Sequence, residues 1–225
     1  MTEGIKLHLG CGSVTPAGWV HMDGSWNALL AKQPFFKILA VFSGLIPKEQ
    51  ARLPWTSGVL VRDVRKPLPF PDRSVRAIYT GHMLDYLYPS EAKQLLKECL
   101  RVLRPGGIFR VAVEDMPAVL REYFGERGHL SFSNELADFL PMDRLMMRIQ
   151  LHPEMVRGNA LYELYQRITD FHSRKWAYDE ESLMHHLTCA GFSEVARRDF
   201  LDSRIEKIGE VEKNPGICVE GIRPE

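Results

Sequence analysis

The stretch Leu7-His8-Leu9-Gly10-Cys11-Gly12 decides how this chain folds. It completes an apolar run, 5–9, that is typical of a short buried strand, and its two glycines allow the backbone to turn sharply after the strand. Ligands of open parallel α/β sheets bind outside the carboxyl ends of the strands. A binding loop is therefore expected here, although two nearby glycines also occur in many ordinary turns.

Composition favours a single α/β domain spanning 1–225. The chain has 225 residues with 29 basic and 29 acidic side chains, so its net charge gives no reason to expect a nucleic-acid partner. The four cysteines are scattered and form no CxxC pair, which argues against a zinc site and a disulfide framework. We expect a cytoplasmic protein without a bound metal, and the first residues do not resemble a signal peptide.

The apolar pattern of the remaining chain alternates between short strands and helices. Because no helix separates the last two strands, they are expected to pair antiparallel. The alternation breaks at 116–170, where we predict a helical insertion that covers the site. Strands are predicted at 19–22, 58–62, 75–79, 108–113, 192–200 and 217–222, and helices at 26–46, 89–103 (N-cap Ser90) and 180–190 (N-cap Asp179, ending at Gly191).

Acidic residues follow two of the predicted strands. The carboxylate of Asp23 can accept two hydrogen bonds at once, which suits the vicinal hydroxyls of a ribose, but Asp is equally suited to cap the next helix. Asp63 can accept from an exocyclic amine such as that of adenine, while the backbone N–H of Val64 can donate to a ring nitrogen. These residues indicate a nucleoside site at the edge of the sheet.

The predicted helix at 26–46 contains a strongly apolar run, 35–42. This run is shorter than the roughly 20 residues that a membrane-spanning helix needs. A helix packed on the sheet is the favoured interpretation. A lid, a dimer surface and a helix resting on a membrane are the alternatives.

Five stretches together resemble the class I S-adenosylmethionine (SAM)-dependent methyltransferases, and most closely the type 11 group. The resemblance implies a Rossmann-like, seven-stranded, mostly parallel sheet with an antiparallel last strand, helices on both faces, and SAM as cofactor. The stretches are LHLGCG (7–12), PLPFPDRSV (67–75), TGHMLDYL (80–87), RVLRPGGIFRV (101–111) and WAYDEESLMHHLTCAGFSEV (176–195). The cofactor contacts that the resemblance implies are His8, Gly10, Cys11, Gly12, Asp23, Asp63, Val64, Thr80 and His82.

The chain departs from the family pattern beside the glycines. His8 stands where an acidic residue is usual, and Val14 where a third glycine is common. Ten residues separate Gly12 from Asp23, too few for a full helix between the first two strands. Relatives that act on glycans share this shortened form.

The predicted reaction is methyl transfer from SAM to an oxygen of a small-molecule or glycan-precursor acceptor. His82 is the first candidate for a general base and Asp115 the second, although His82 could equally be structural and Asp115 could cap a helix. One alternative is a protein of the same fold that binds a ligand or partner without transferring a methyl group. An NAD(P)-dependent enzyme fits less well, because Thr15 stands at the third glycine position.

Overall fold

The computed structural model describes residues 4–33, 55–124 and 173–225, together with the isolated positions 35, 38, 42, 145 and 149. In these ranges seven strands form one sheet. The strands are β1 (Ile5–Leu9), β2 (Val20–Asp23), β3 (Leu60–Val61), β4 (Val75–Gly81), β5 (Leu103–Val113), β6 (Ser193–Arg198) and β7 (Ile217–Ile222). The described helices are α1 (Trp26–Ala31), α2 (Pro89–Val102), α3 (Met116–Tyr123) and α4 (Glu180–Ala190), with 3-10 turns at Leu84–Tyr86 and Ile208–Glu210.

The strand order is β3-β2-β1-β4-β5-β7-β6. β1 to β5 pair in parallel, whereas β7 pairs antiparallel with both β5 and β6. This confirms the predicted seven-stranded, mostly parallel sheet. The chain leaves β1 toward β2 and β3 on one side and then places β4 on the other side. The gap between the ends of β1 and β4 is therefore a switch point, where ligands of such sheets bind.

One face of the sheet carries most of the core. Side chains of β1, β4 and β5 pack there against α2 and α4, through residues such as Leu95 and Leu187. The apolar stripe of α2 that the sequence predicts is confirmed, because Leu95, Leu96 and Cys99 are all buried. The opposite face holds a smaller cluster, in which Trp19 and Tyr79 pack with the segment 205–211.

A buried ionic group fastens that segment to the second face, and we call it the Arg110 cluster. Arg110 is fully buried on β5 and donates from Nε and Nη2 to the two carboxylate oxygens of Glu212, at 2.8 Å each. Its Nη1 donates to Glu220 at 3.1 Å and to the Asp202 carbonyl at 2.7 Å, while Nη2 also donates to the Asp199 carbonyl at 2.9 Å. All five N–H donors of the guanidinium are therefore paired.

The ends of the helices follow from local chemistry, with one correction. The prediction that Ser90 caps α2 is wrong: the N-cap is Tyr88 and Pro89 occupies the first helical position. Proline is favoured there because its missing N–H would have had no helical partner, and Glu91 accepts from the Tyr88 N–H at 2.9 Å. The predicted start of α4 at Asp179 is confirmed, and its end at Gly191 has a φ of 106°.

Two predicted helical regions lie mainly outside the described residues. The predicted helix 26–46 begins as α1, and only positions 35, 38 and 42 are described after residue 33. The insertion at 116–170 begins as α3, and of its later part only positions 145 and 149 are described. In the described part of the chain, no helix is both long enough and apolar enough to cross a bilayer.

Candidate functional site

A cavity of about 240 Å³ opens at the switch point, beside the carboxyl ends of β1, β2 and β4. We call it the glycine-loop cavity. It brings together six of the residues predicted from the sequence: Gly10, Gly12, Asp23, Asp63, Val64 and His82. Five lining residues were not predicted as contacts: Gly24, Ser25, Met83, Tyr86 and Leu87.

The two glycines of the loop serve different needs. Both have left-handed backbone, with φ of 63° at Gly10 and 54° at Gly12, a region that side chains disfavour. A Cβ on Gly10 would lie 2.5 Å from Cγ of Met83, so Gly10 is required for close packing. A Cβ on Gly12 would meet nothing within 4 Å, so its backbone borders open space that a ligand can approach.

Asp23 ties this loop to β2. Its Oδ2 accepts from the Gly12 N–H at 3.0 Å, and its Oδ1 accepts from the Ser25 N–H at 2.8 Å. The residue that caps α1 is Ser25, whose hydroxyl accepts from Ala28, so the alternative capping role of Asp23 is wrong. Each carboxylate oxygen keeps a second lone pair. Asp23 can therefore accept both hydroxyls of a diol without releasing the loop.

Asp63 has far less capacity left. Its Oδ1 accepts from the backbone N–H and Nε of Arg65 at 3.0 and 2.9 Å, and its Oδ2 accepts from Nε and Nη2 at 3.1 and 2.8 Å. Partial burial by itself would raise the pKa of Asp63, but the hydrogen bonds and charge of Arg65 outweigh it and hold the pKa below its ordinary value. Arg65 thus supplies three N–H groups to a carboxylate that can accept about four, so roughly one acceptor site remains for an exocyclic amine.

His82 lies directly after β4 and lines the cavity. Its φ of 49° places a non-glycine residue in the left-handed region, and its N–H donates to the Ala112 carbonyl of β5 at 2.8 Å. Its Nε2 lies 3.5 Å from the Asn214 carbonyl oxygen. Strained backbone that the surrounding sheet enforces is concentrated at functional positions, which sets His82 apart from the other described histidines.

The prediction that the His8 side chain contacts the cofactor needs correction. Side chains alternate along β1, so Leu7 and Leu9 pack on the α2 face and the His8 ring lies on the other face, 5.2 Å from the Tyr79 ring. Burial, and secondarily the charge of His21, lowers the pKa of His8 from 6.5 to about 3, so the ring is neutral. This buried position, away from the cavity, removes His8 from the candidate contacts.

Two further candidate contacts are not among the residues that line the cavity. The Cys11 side chain packs with Ala28 and Val59, and burial raises the pKa of its thiol to about 12. Thr80 is fully buried within β4, and its hydroxyl has no partner among the described residues. Only the backbone of Cys11 is part of the glycine loop.

Asp115 lies at a different cavity. Its Oδ1 accepts from the Ala118 N–H at 2.9 Å, which is the helix-capping role that the sequence left open. The second cavity has a volume of about 560 Å³ and is also lined by Arg121, Glu180, Arg197 and Ile217. A Cβ on Gly216 would be 3.3 Å from Cε1 of His82, so His82 lies close to the residue that precedes Ile217 of the second cavity.

Arg174 fixes the wall of the glycine-loop cavity through contacts that sequence reasoning missed. Its Nε lies 2.9 Å from Oδ2 of Asp85, and its Nη2 donates to Glu114 at 2.9 Å. The backbone N–H groups of Lys175 and Trp176 also donate to the Asp85 carbonyl, at 2.8 and 3.1 Å. These contacts hold the loop after residue 172 against the ends of β4 and β5. Trp176 itself is largely exposed, and His172 lies outside the described residues.

The described residues contain no group of three or more His, Cys, Asp or Glu side chains that could hold a metal ion. The polar groups that face the glycine-loop cavity are carboxylates, an imidazole, a phenol and backbone amides. Such groups suit a ligand with hydroxyls and an aromatic base.

Comparison with known proteins assigns the class. Residues 7–111, from β1 to β5, match the family described as Methyltransferase domain, the type 11 group. This segment, a little under half of the chain, therefore matches a methyltransferase domain, which confirms the resemblance recognised from the sequence together with its cofactor, SAM. No curated protein matches the chain.

Solved structures share the fold at low sequence identity. The CMeT domain of the citrinin polyketide synthase is 12% identical with a TM-score of 0.50, and the alignment covers 100% of this chain and 48% of that one. A SAM-dependent methyltransferase from Thermotoga maritima, described as a possible histamine N-methyltransferase, is 17% identical over 99% of this chain and 83% of that one, with a TM-score of 0.49. A SAM-dependent methyltransferase from Mesorhizobium loti is 18% identical over 98% and 91%, with a TM-score of 0.47.

Proposed function

We propose that this chain is a single-domain cytoplasmic enzyme that transfers the methyl group of SAM to an oxygen of a small-molecule or glycan-precursor acceptor. The observation that carries the proposal is Asp23, a carboxylate with lone pairs to spare, beside the open backbone of Gly12 at the switch point. Bound SAM supplies a methyl group on a sulfonium, which an acceptor oxygen can attack in line.

Different residues of the glycine-loop cavity would bind different parts of the cofactor. Asp23 would accept hydrogen bonds from the two ribose hydroxyls, and Gly12 would allow the ligand to approach the backbone closely. Val64 and Asp63 would bind the base, Val64 through its backbone N–H and Asp63 through its remaining acceptor site. Apolar contact comes from Met83 and Leu87, which the sequence places directly after β4.

His82 is the proposed general base. A proton on Nε2 faces the Asn214 carbonyl, which leaves the lone pair of Nδ1 to receive the proton of an acceptor hydroxyl. Because His82 lines the glycine-loop cavity and lies close to Gly216, next to Ile217 of the second cavity, we assign the acceptor to the second cavity, where charged side chains such as Arg121 and Glu180 suit a hydroxyl-rich molecule. Asp115 would bind the acceptor there while it caps α3.

The class of acceptor is supported by charge. The chain has equal numbers of basic and acidic residues, which does not favour binding to nucleic acid. The second cavity, at about 560 Å³, has a volume suited to a small molecule or a sugar.

Two measurements test the proposal in sequence. Isothermal titration with SAM and S-adenosylhomocysteine (SAH) should show binding of both, and NAD should not bind. Transfer of a labelled methyl group is then followed across hydroxyl-bearing small molecules and glycan precursors, with His82→Asn as the variant. We expect His82→Asn to keep SAH affinity and to lose turnover by about a hundredfold. Binding without transfer to any acceptor would instead indicate a ligand-binding protein of this fold.

A further inference from the structure

Three apolar side chains after α1 are exposed, and we call them the apolar ridge. Phe35, Ile38 and Phe42 have exposed fractions of 72%, 70% and 91%. All three positions are helical, and at 100° per residue the spacing of 35, 38 and 42 corresponds to an arc of about 60°. The predicted packing of this helix on the sheet stays a prediction, because the residues between these positions lie outside the described ranges. Exposure of several large apolar residues on one side is typical of an interaction surface.

The stretch of sequence that contains the ridge carries charged residues of one sign only. Residues 24–48 contain Lys32, Lys37 and Lys48 but no Asp or Glu, although basic and acidic residues balance over the whole chain. Lys32, the described lysine, is exposed just before the ridge. A local excess of positive charge beside aromatic and aliphatic side chains matches helices that lie in the headgroup region of membranes.

We propose that the apolar ridge inserts into the surface of an anionic phospholipid bilayer, with the lysines of this stretch of sequence adding electrostatic attraction to the headgroups. The apolar run 35–42 is too short to span a membrane, so the contact is peripheral. Because the sequence on both sides of the ridge is positively charged, an anionic lipid surface is favoured over an uncharged apolar protein partner. This contact goes beyond the proposed methyl transfer and does not depend on it. It would bring acceptors located at a membrane within reach of the enzyme.

Vesicle co-sedimentation of the full chain tests the proposal. Vesicles of equimolar phosphatidylcholine and phosphatidylglycerol should sediment the protein, whereas vesicles of phosphatidylcholine alone should sediment much less. Phe42→Ser should lower the partition coefficient on anionic vesicles at least about tenfold, because one buried phenyl ring is lost. The matched control is Phe124→Ser, which removes another phenylalanine that is 74% exposed but lies at the end of α3, and it should bind like the wild type.

Charge and cofactor binding separate the remaining outcomes. Lys32→Glu should weaken binding to anionic vesicles several-fold, and added salt should weaken binding of the wild type. Absence of vesicle binding, equal loss in both phenylalanine variants, or a dimer in light scattering that Phe42→Ser dissociates would each overturn the proposal. SAH titration of the same variants should be unchanged, so a failure of vesicle binding is distinguishable from a failure of the proposed enzyme function.

Discussion

The glycine-loop cavity and the Arg110 cluster place similar polar groups on the same sheet with opposite results. In the cluster, Arg110 is fully buried and each of its N–H groups has an acceptor. In the cavity, Asp23 accepts two backbone N–H groups and still has lone pairs available. A buried polar group without a partner is costly, so spare hydrogen-bonding capacity persists where solvent or a ligand can meet it. Saturation therefore indicates a structural role, and spare capacity indicates a binding role.

The largest effect should come from breaking the Arg110 cluster. Glu212→Ala leaves the buried guanidinium with one carboxylate partner instead of two, and we expect a loss of about 3 kcal/mol or more in the free energy of unfolding. Urea denaturation measures this. The control is Glu206→Ala, which removes the exposed partner of Arg76 and should leave stability nearly unchanged. A loss below about 1 kcal/mol for Glu212→Ala would contradict the structural role.

The next effect concerns binding rather than stability. Asp23→Asn keeps one oxygen for the loop but loses an acceptor for the ribose, so SAH affinity should fall about tenfold to a hundredfold. Isothermal titration gives the dissociation constant, and thermal melting checks that the variant is folded. Asp72→Asn changes an exposed carboxylate paired with Arg101 and should bind SAH like the wild type. If Asp23→Asn lost stability without losing affinity, the binding role of Asp23 would be wrong.

His8 lies outside both the glycine-loop cavity and the Arg110 cluster, and it should make the free energy of unfolding depend on pH. The pKa of the His8 imidazole is about 3 in the folded chain, where the ring is buried, and 6.5 in the unfolded chain. Between these two pH values the unfolded state therefore binds more protons than the folded state. The contribution is complete above pH 6.5 and is lost as the pH falls toward 3. At pH 5 the loss in the free energy of unfolding should amount to about 2 kcal/mol. Denaturant unfolding at pH 7 and pH 5 should show this loss in the wild type and a smaller one in His8→Phe.

The smallest effect should be at Asp63. Because Arg65 already occupies its oxygens, Asp63→Asn should reduce SAH affinity less than about fivefold, well below the loss in Asp23→Asn. Titration of the two variants side by side makes the comparison. An equal loss would mean that the adenine amine depends on Asp63 as strongly as the ribose depends on Asp23, and spare capacity in the free protein would then be an incomplete guide to the site.

Much of the fold and half of the candidate site could be predicted from the sequence. The glycine loop, Asp23, Asp63, Val64 and His82 follow strands whose apolar runs are strong, and residues at the carboxyl ends of parallel strands meet at one edge. The predicted contacts that do not line the cavity include two side chains in strands beside the loop. The alternation of side chains along β1 puts the His8 ring on the face of Tyr79, and Thr80 is fully buried within β4.

What the sequence by itself determined was the order of elements, the sheet and the loop, because these depend on local apolar pattern and on glycine conformations. Only the tertiary structure decided which distant charges meet. Arg174 pairs with Asp85 and Glu114, and Arg110 with Glu212, across separations that no spacing rule connects. It also decided that Asp63 already accepts from three N–H groups while Asp23 accepts from two. The physical reason is that hydrogen-bonding capacity is settled by three-dimensional neighbours, and one chain position does not reveal them.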